Sequence, residues 1–452
     1  MLHRRLKQLA SKGQAIRVAL VGCGRMGRGV INQIAFVPGM TVVAVADQHR
    51  DASEAAAHGQ EHDRVKVHLS DDREAAADAI ARGERVATTS SKMICSLPVD
   101  VVIEATGIPD SGVRIAVEAI RQGKHVITMN VESDALVGPM LSHLAREAGV
   151  VYSVTAGDEP GVLGDMVDWA RTIGLEVVAA LKGCMRPIDW NANTQTLADE
   201  ASQLGLNPKM LASFRDGSKH SVEVCVTANG TGLVPDVRGT HARALKWHEY
   251  PKVICPKKDG GILDRSGVVE LAQPVLNTDG TIDMDHSVTP GVGLIVTTPH
   301  KQIRADFKYL LQGDGPYYVM PRPFHLCAME LPQSVAKAYF HGDPTLNAMG
   351  GPVAEVICVA KRDLEPGDVL TGSGGAEITG QIDRYAICRS ENLLPLGLSY
   401  GIEMARPVEC GRAVTLDDVK LDLGSDAYQL WLRQCDTFPS NDRQPVDVSG
   451  SR

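Results

Sequence analysis

Residues 16 to 27 read Ile16-Arg17-Val18-Ala19-Leu20-Val21-Gly22-Cys23-Gly24-Arg25-Met26-Gly27, and the next apolar run, Thr41-Val42-Val43-Ala44-Val45-Ala46, ends in Asp47. The order is strand, glycine turn, helix, strand, acid. The three glycines serve different ends. Gly22 makes the tight turn, Gly24 lets the backbone approach a pyrophosphate, and Gly27 lets the helix pack close to the strand. The helix start then offers unpaired N–H groups and a positive dipole end to phosphate oxygens. A glycine triplet alone is weak evidence. Here it follows a strand, opens a helix and is answered by an acid at the required distance, so it reads as a dinucleotide site. Gly22, Gly24, Arg25, Met26, Gly27 and Asp47 are the first cofactor-binding candidates.

Outward from this stretch, residues 16 to about 155 alternate strand-like and helix-like segments. That rhythm belongs to a Rossmann-type, doubly wound parallel sheet of the α/β class. Residues 1–14 read as a short polar helix, 51–59 and 70–83 as alanine-rich helices, and 86–89 as a short strand. A stronger strand at 99–104 runs into Ala105-Thr106-Gly107-Ile108-Pro109, followed by an amphipathic helix at 112–122. The strand at 125–129 ends in Asn130-Val131-Glu132-Ser133-Asp134, a helix is expected over 139–148, and 150–154 leads into Gly157-Asp158-Glu159-Pro160. Ligands of open α/β sheets bind at the carboxyl ends of the strands, which adds Thr106, Gly107 and Asn130 to the cofactor set. The expected division is a dinucleotide-binding domain at 1–157, an α+β substrate and oligomerisation domain at 158–350, a small β-rich domain at 351–435, and a disordered Ser/Asp/Pro-rich tail at 436–452.

The bulk properties narrow the function. The chain has 452 residues, 44% hydrophobic and 22% charged, with a net charge of −9. That is an ordinary soluble composition, without the basic patch of a nucleic-acid binder. Ten cysteines are scattered with no C-x-x-C, which fits reduced thiols in a cytoplasmic protein better than a zinc ribbon or a disulfide framework. The basic start, Met1-Leu2-His3-Arg4-Arg5-Leu6-Lys7, lacks the apolar core of a signal peptide. No apolar run nears the ~18 residues a membrane span needs.

The first 155 residues resemble the nucleotide domain of homoserine dehydrogenases, through residues 22–27, the strand and turn at 100–107, and the strand ending at Asn130. Such enzymes carry a lysine after that asparagine; here Val131-Glu132 stands instead, which points away from homoserine. The turns at 361–370 and 407–419 resemble those of SAF domains, small β-clip modules. As a whole, the chain resembles the DXR-like (DRL) family, which joins the two. The motifs are Ile108-Pro109 after Thr106-Gly107, Asn130-Val131-Glu132, Gly157-Asp158-Glu159-Pro160, Thr231-Gly232-Leu233-Val234-Pro235-Asp236, Ser266-Gly267-Val268-Val269 and Arg322-Pro323-Phe324-His325-Leu326. The resemblance implies one of two activities: NAD-linked oxidoisomerisation of apionate, a branched sugar acid, or NADPH-dependent reductoisomerisation of 1-deoxyxylulose 5-phosphate.

Asp47 tilts the choice to NAD, because a carboxylate accepts ribose hydroxyl protons and repels a 2′-phosphate; Arg50 nearby leaves NADP as the lesser alternative. An NAD enzyme favours the oxidising, catabolic reaction. That chemistry needs a base for a hydroxyl proton and cationic groups for the anion. Lys182, after the strand at 176–181, is the base candidate at the position the family resemblance implies. Cys184 stands where a second basic residue would be expected. Asp158 and Glu159 could hold hydroxyls, a divalent cation or the lysine, and equally could cap the helix that follows. Glu132 is expected near the nicotinamide. Arg322 and His325, in a loop stiffened by prolines, and His241 and Lys257, in polar loops, are the substrate-anion candidates. No metal-ligand spacing is diagnostic, so no metal is assigned. The expected partner is a small anionic sugar acid or sugar phosphate, with no nucleic acid and no membrane, in a homo-oligomer. A sugar-acid binding protein without turnover, or a scaffold built on the SAF-like module, are the readings from other classes.

Overall fold

The computed structural model describes residues 1–59 and 65–439 and divides into two compact units. One comprises Met1–Gly161 with Leu326–Met349, and the other Val162–His325 with Gly350 onward.

The first unit holds seven parallel strands: β1 (Ile16–Val21), β2 (Met40–Ala46), β3 (Val67–Leu69), β4 (Arg85–Thr88), β5 (Val101–Glu104), β6 (His125–Thr128) and β7 (Tyr152–Val154). Their order is β3-β4-β2-β1-β5-β6-β7. Strand order reverses at β1, so the crevice beside the ends of β1 and β5 is where an open sheet of this kind takes a ligand. Burial on both faces explains the near-continuous apolar runs of β1 and β2.

Two sequence expectations change here. Pro139 does not begin a helix; it sits inside one that runs Val131–Glu147. Asn130 caps that helix, its side chain accepting from the Ser133 N–H, and the near-total burial of the helix outweighs the proline's missing donor. The second change concerns Leu326–Met349, which joins the nucleotide unit rather than the substrate domain. Its helix Cys327–His341 places Leu331, Val335, Ala336 and Ala338 into the same core as Val30, Ile31 and Ile34 of the helix Arg25–Ile34. The apolar stripe at helical spacing needed a surface to cover, and the nucleotide unit supplied it.

In the second unit the strands are β8 (Glu176–Gly183), β9 (Val234–Pro235), β10 (Arg243–Ala244), β11 (Val268–Gln273), β12 (Val292–Thr297) and β13 (Tyr317–Arg322), in the order β10-β11-β8-β12-β13 with β9 beside β11. The sheet is mixed: β11 runs parallel to β8, whereas β12 is antiparallel to both β8 and β13. One face, with Ala179, Leu181, Val268 and Ile295, packs on Tyr250, Ile254 and Leu263. The other lies under the helix Ser218–Thr231, which reaches Lys182 of β8. Met320-Pro321-Arg322 is not a loop, as expected from its prolines, but the end of β13. As the edge strand, β13 tolerates a residue with no N–H.

Beyond residue 350 come β14 (Ala354–Ala360), β15 (Val369–Leu370), β16 (Ile378–Arg384), β17 (Ile402–Met404) and β18 (Val419–Lys420), as a β14-β16 pair and a three-stranded β15-β17-β18 sheet. The turns at 361–370 and 407–419 meet through a bridge between Leu364 and Val408. The buried Lys361 ammonium fastens this part to the rest of its unit, donating to Asp216 at 2.6 Å, to Gly375 O at 2.7 Å and to Ala192 O at 2.8 Å. The helix Asp426–Thr437 takes in the first residues of the expected disordered tail, and 440–452 lie outside the described residues.

Candidate active site

The nucleotide end of the first unit is built by close backbone approach. A Cβ on Gly22, whose φ is +99°, would lie 2.6 Å from the Ala105 carbonyl, and one on Gly27 would lie 2.0 Å from Gly22 O. Gly24 differs: a Cβ there would meet nothing within 4 Å. The helix Arg25–Ile34 begins at Gly24 with no side chain capping it. Its first N–H groups therefore face open space, with Arg25 and Met26 exposed beside them. Asp47, at the end of β2, accepts from the Cys23 N–H at 2.8 Å and from the His49 N–H at 2.9 Å, which fixes the carboxylate against the glycine turn. Arg50, three residues beyond Asp47, is bonded to Asp71. Asp71 is in turn held by Thr88 and Thr89, and those bonds draw its carboxyl down to about 2. Burial pushes the Cys23 thiol up to about 12, so it sits in the turn as a neutral group. An uncapped helix start, an open glycine and a fixed carboxylate together fit a dinucleotide.

Thr106 and Asn130 are tied inward. Glu104, the buried last residue of β5, accepts from Thr106 N–H at 2.7 Å, Thr106 Oγ1 at 2.5 Å and Thr128 Oγ1 at 3.2 Å. Burial raises its pKa and these donors oppose the rise. The Asn130 amide donates to Ile108 O at 3.0 Å while its oxygen caps the next helix. Both side chains shape the strand-end turns from within, and Gly107, at φ +69° with open space around it, stays free to meet a ligand. Glu132 lies in the first turn of the helix Val131–Glu147. Asp158 precedes the helix Glu159–Thr172, and its Oδ1 lies 3.5 Å from Cys327 Sγ. Glu159, in that helix's first turn, is buried.

In the second unit Lys182 is wholly buried. Its Nζ is hydrogen-bonded to His220 Nδ1 and lies 2.7 Å from Glu223 Oε2. Burial would raise the Glu223 pKa, but Lys182 and His220 more than offset this and draw it down. Ladder register aligns Lys182 with Val292 and Val292 with Arg322, so Lys182 and Arg322 share a face two strands apart, about 10 Å at the backbone. The Arg322 guanidinium stacks on the Phe324 ring at 5.1 Å, and His325 follows in the turn after β13.

His241 and Lys257 are not brought to that face. Glu270 aligns with Leu181, and Leu271 with Lys182, so Glu270 belongs to the opposite side. His241 is bound there, its Nδ1 2.8 Å from Glu270 Oε1 and its Nε2 3.6 Å from Asp236 Oδ2. The bond to Glu270 is the main reason the His241 pKa is raised. Thr240 and Ala242 on either side have φ of +65° and +48°, unusual for residues with side chains. Lys257 forms a surface ion pair with Asp264 at 2.6 Å. The sequence reading missed Glu104, His220 and Glu223. A charge closing an apolar strand marked the first, and a histidine and glutamate three apart on one helix face marked the other two.

Residues 22–155 match the family model of the homoserine dehydrogenase NAD binding domain, and residues 157–331 that of the oxidoreductase DRL catalytic domain. The chain is thus an NAD(P)-dependent oxidoreductase. The two matches agree with the resemblance to DRL oxidoreductases read from the motifs. No curated protein matches it. Solved structures similar to it include a probable dehydrogenase from Thermotoga maritima, 12% identical over 73% of this chain and 90% of that one, with a TM-score of 0.36. A homoserine dehydrogenase from Thiobacillus denitrificans is 20% identical over 49% and 50%, with a TM-score of 0.33. A 1-deoxy-D-xylulose 5-phosphate reductoisomerase from Zymomonas mobilis, in complex with NADPH, is 14% identical over 72% and 81%, with a TM-score of 0.37. Among the described residues, no helix is long and apolar enough to cross a membrane.

Proposed function

We propose that the chain is an NAD-preferring enzyme that oxidises a hydroxyl of a small branched sugar acid of the apionate type and couples that step to a rearrangement of the carbon skeleton. The observation that carries the proposal is the fate of the two residues that choose between NAD and NADP. Asp47 is held at the glycine turn with lone pairs to spare for ribose hydroxyls. Arg50, which would have to neutralise a 2′-phosphate, is already paired with Asp71. An NAD enzyme works in the oxidising direction, and a sugar acid is the substrate that direction favours over a sugar phosphate awaiting reduction.

The nicotinamide cofactor, when bound, takes up the hydride. Residues 22–27 would hold its pyrophosphate, and Asp47 its ribose. Lys182 is the base that takes the hydroxyl proton as the carbon loses hydride. Arg322, on the same face of the sheet, grips the carboxylate with two parallel N–H donors and orients the reacting carbon. The ligand is a small anion, and a homo-oligomer in the cytoplasm is part of the same proposal, as is a SAF-like role for residues 351–435. Four- to six-carbon sugar acids, and deoxyxylulose phosphate in the reducing direction, are to be screened with NAD and NADP by nicotinamide absorbance. Reduction of NAD by a branched acid supports the proposal. NADPH oxidation with the sugar phosphate favours the reductoisomerase, and ligand binding without cofactor turnover favours a binding protein; either result overturns it. Lys182→Ala is expected to lose at least about 100-fold in turnover, with NAD affinity unchanged.

A further inference from the structure

Pairing with the Glu223 carboxylate favours the ammonium form of Lys182, and an ammonium is not a base. For Lys182 to accept a substrate proton, its own proton must have somewhere to go. The second unit supplies that place. Lys182, His220 and Glu223 have side chains exposed by 1%, 1% and 2%. His220 Nδ1 is in direct hydrogen-bond contact with Lys182 Nζ and lies 3.8 Å from Glu223 Oε2, so both nitrogens look onto the same carboxylate oxygen. His220 and Glu223 come from one helix face, and Lys182 from the strand beneath. The Phe214 ring closes the group, 5.8 Å from Lys182 Nζ and edge-on to His220 at 5.5 Å. Within the second unit, Cys184, just past β8, and Lys219 of the helix also act on the group. From the sheet, the ladder neighbours of Lys182 are Leu271 and Val292, both apolar.

We infer that His220 and Glu223 are the positioning pair that makes Lys182 a base, with His220 Nδ1 taking the proton that Lys182 gives up and Glu223 facing that proton on either nitrogen. The inference rests on the reading of Lys182 as the base. In the first transfer the Nζ–H bond breaks, the Nδ1–H bond forms and the electron pair stays on Nζ. In the second, the substrate O–H proton moves to that pair, while the C–H bond leaves with its two electrons as hydride to the nicotinamide and the carbon–oxygen double bond forms. The group has then gained one proton, which returns to solvent on product release. Glu223 is necessary because an imidazolium buried without a counter-charge would be strongly disfavoured. His220, in direct contact with Lys182 Nζ, gives the lysine proton an acceptor within the group itself.

The test is the acidic limb of the kcat/KM–pH profile, which reports protonation of the base in the free enzyme. His220→Asn removes a neighbour that can be positive, so the limb should move up, by about one pH unit. Glu223→Gln, which keeps the shape, removes the negative neighbour, so the limb should move down by a similar amount. A merely structural pair would lower the rate without moving the limb in opposite directions. A second measurement needs no turnover: in protein labelled with ¹⁵N at histidine, Lys182→Met should raise the His220 titration midpoint by about one pH unit, because a like charge has gone. Limbs unmoved in both variants, or a His220 midpoint unchanged by Lys182→Met, would overturn the relay. If Lys182→Ala keeps its turnover, the base assignment itself fails. If Lys182→Ala is inactive while the limbs stay fixed, the relay fails alone.

Discussion

Two alanine substitutions three residues apart should have opposite signatures. At Gly27 a Cβ would lie 2.0 Å from Gly22 O, a backbone atom with little room to yield because the tight turn at Gly22, with φ +99°, already leaves no space for a side chain beside Ala105. Gly27→Ala must therefore displace the helix Arg25–Ile34 from the sheet, at a cost of about 1–3 kcal/mol, or several degrees in the melting temperature of its unit. At Gly24 the added Cβ meets nothing, and φ −67° with ψ −168° is a conformation alanine adopts freely. Gly24→Ala should leave the unliganded protein as stable as before, or more so by about 0.4–1 kcal/mol, since the unfolded chain loses freedom. Its effect should fall on NAD, whose pyrophosphate needs the space the methyl fills. At a concentration 100 times the dissociation constant, NAD stabilises the native protein by about 2.7 kcal/mol, and a 100-fold weaker site leaves about 0.4 kcal/mol of that. Thermal melts with and without NAD, backed by calorimetric titration, read both quantities. A Gly24→Ala protein with an undiminished NAD-induced shift would refute the placement of the pyrophosphate, and a Gly27→Ala protein as stable as the parent would refute the packing argument.

Asp47→Ser should weaken NAD binding by about 1.5–3 kcal/mol and relax the rejection of NADP, measured as the ratio of the two kcat/KM values; a parent enzyme that prefers NADP would sink the assignment. Arg322→Lys should raise KM despite keeping the charge, because an ammonium cannot grip a carboxylate with two parallel bonds. An unchanged KM in both Arg322→Lys and Arg322→Ala would make Arg322 structural. Asp134, buried in the helix Val131–Glu147, has its carboxyl pushed up to about 7 by burial, with the Tyr152 hydroxyl opposing the rise. The unfolded chain releases that proton near pH 4 and the folded one near 7, so stability should fall as pH rises between these values and level off above. Asp134→Asn should flatten the slope, which denaturant titrations at pH 5 and pH 8 would show; an equal slope in both proteins would mean the carboxyl titrates normally.

Much of the nucleotide unit was legible because its signals are local. A glycine turn between a strand and a helix is dictated by sterics within a dozen residues, and Asp47 follows from the length of one strand–helix–strand unit. The fate of Arg50 was not legible: whether it meets a 2′-phosphate or Asp71 depends on β4, where Thr88 and Thr89 fix the Asp71 carboxylate. Sequence also marked Lys182 and Arg322 as cations, and only the ladder register through Val292 brought them to one face and left His241 on the other. His220 and Glu223 stand 38 and 41 positions from Lys182, beyond any local pattern, and the residue two places after the lysine is only Cys184. Proline at 321 and 139 was read by its local cost, yet an edge strand tolerated the first and burial of a long helix overrode the second. Local steric rules act within one element and can be read from its residues. Which charge neutralises which, and which apolar stripe covers which core, is settled by segments distant in sequence that must bury their surfaces together, so those pairings belong to the tertiary structure alone.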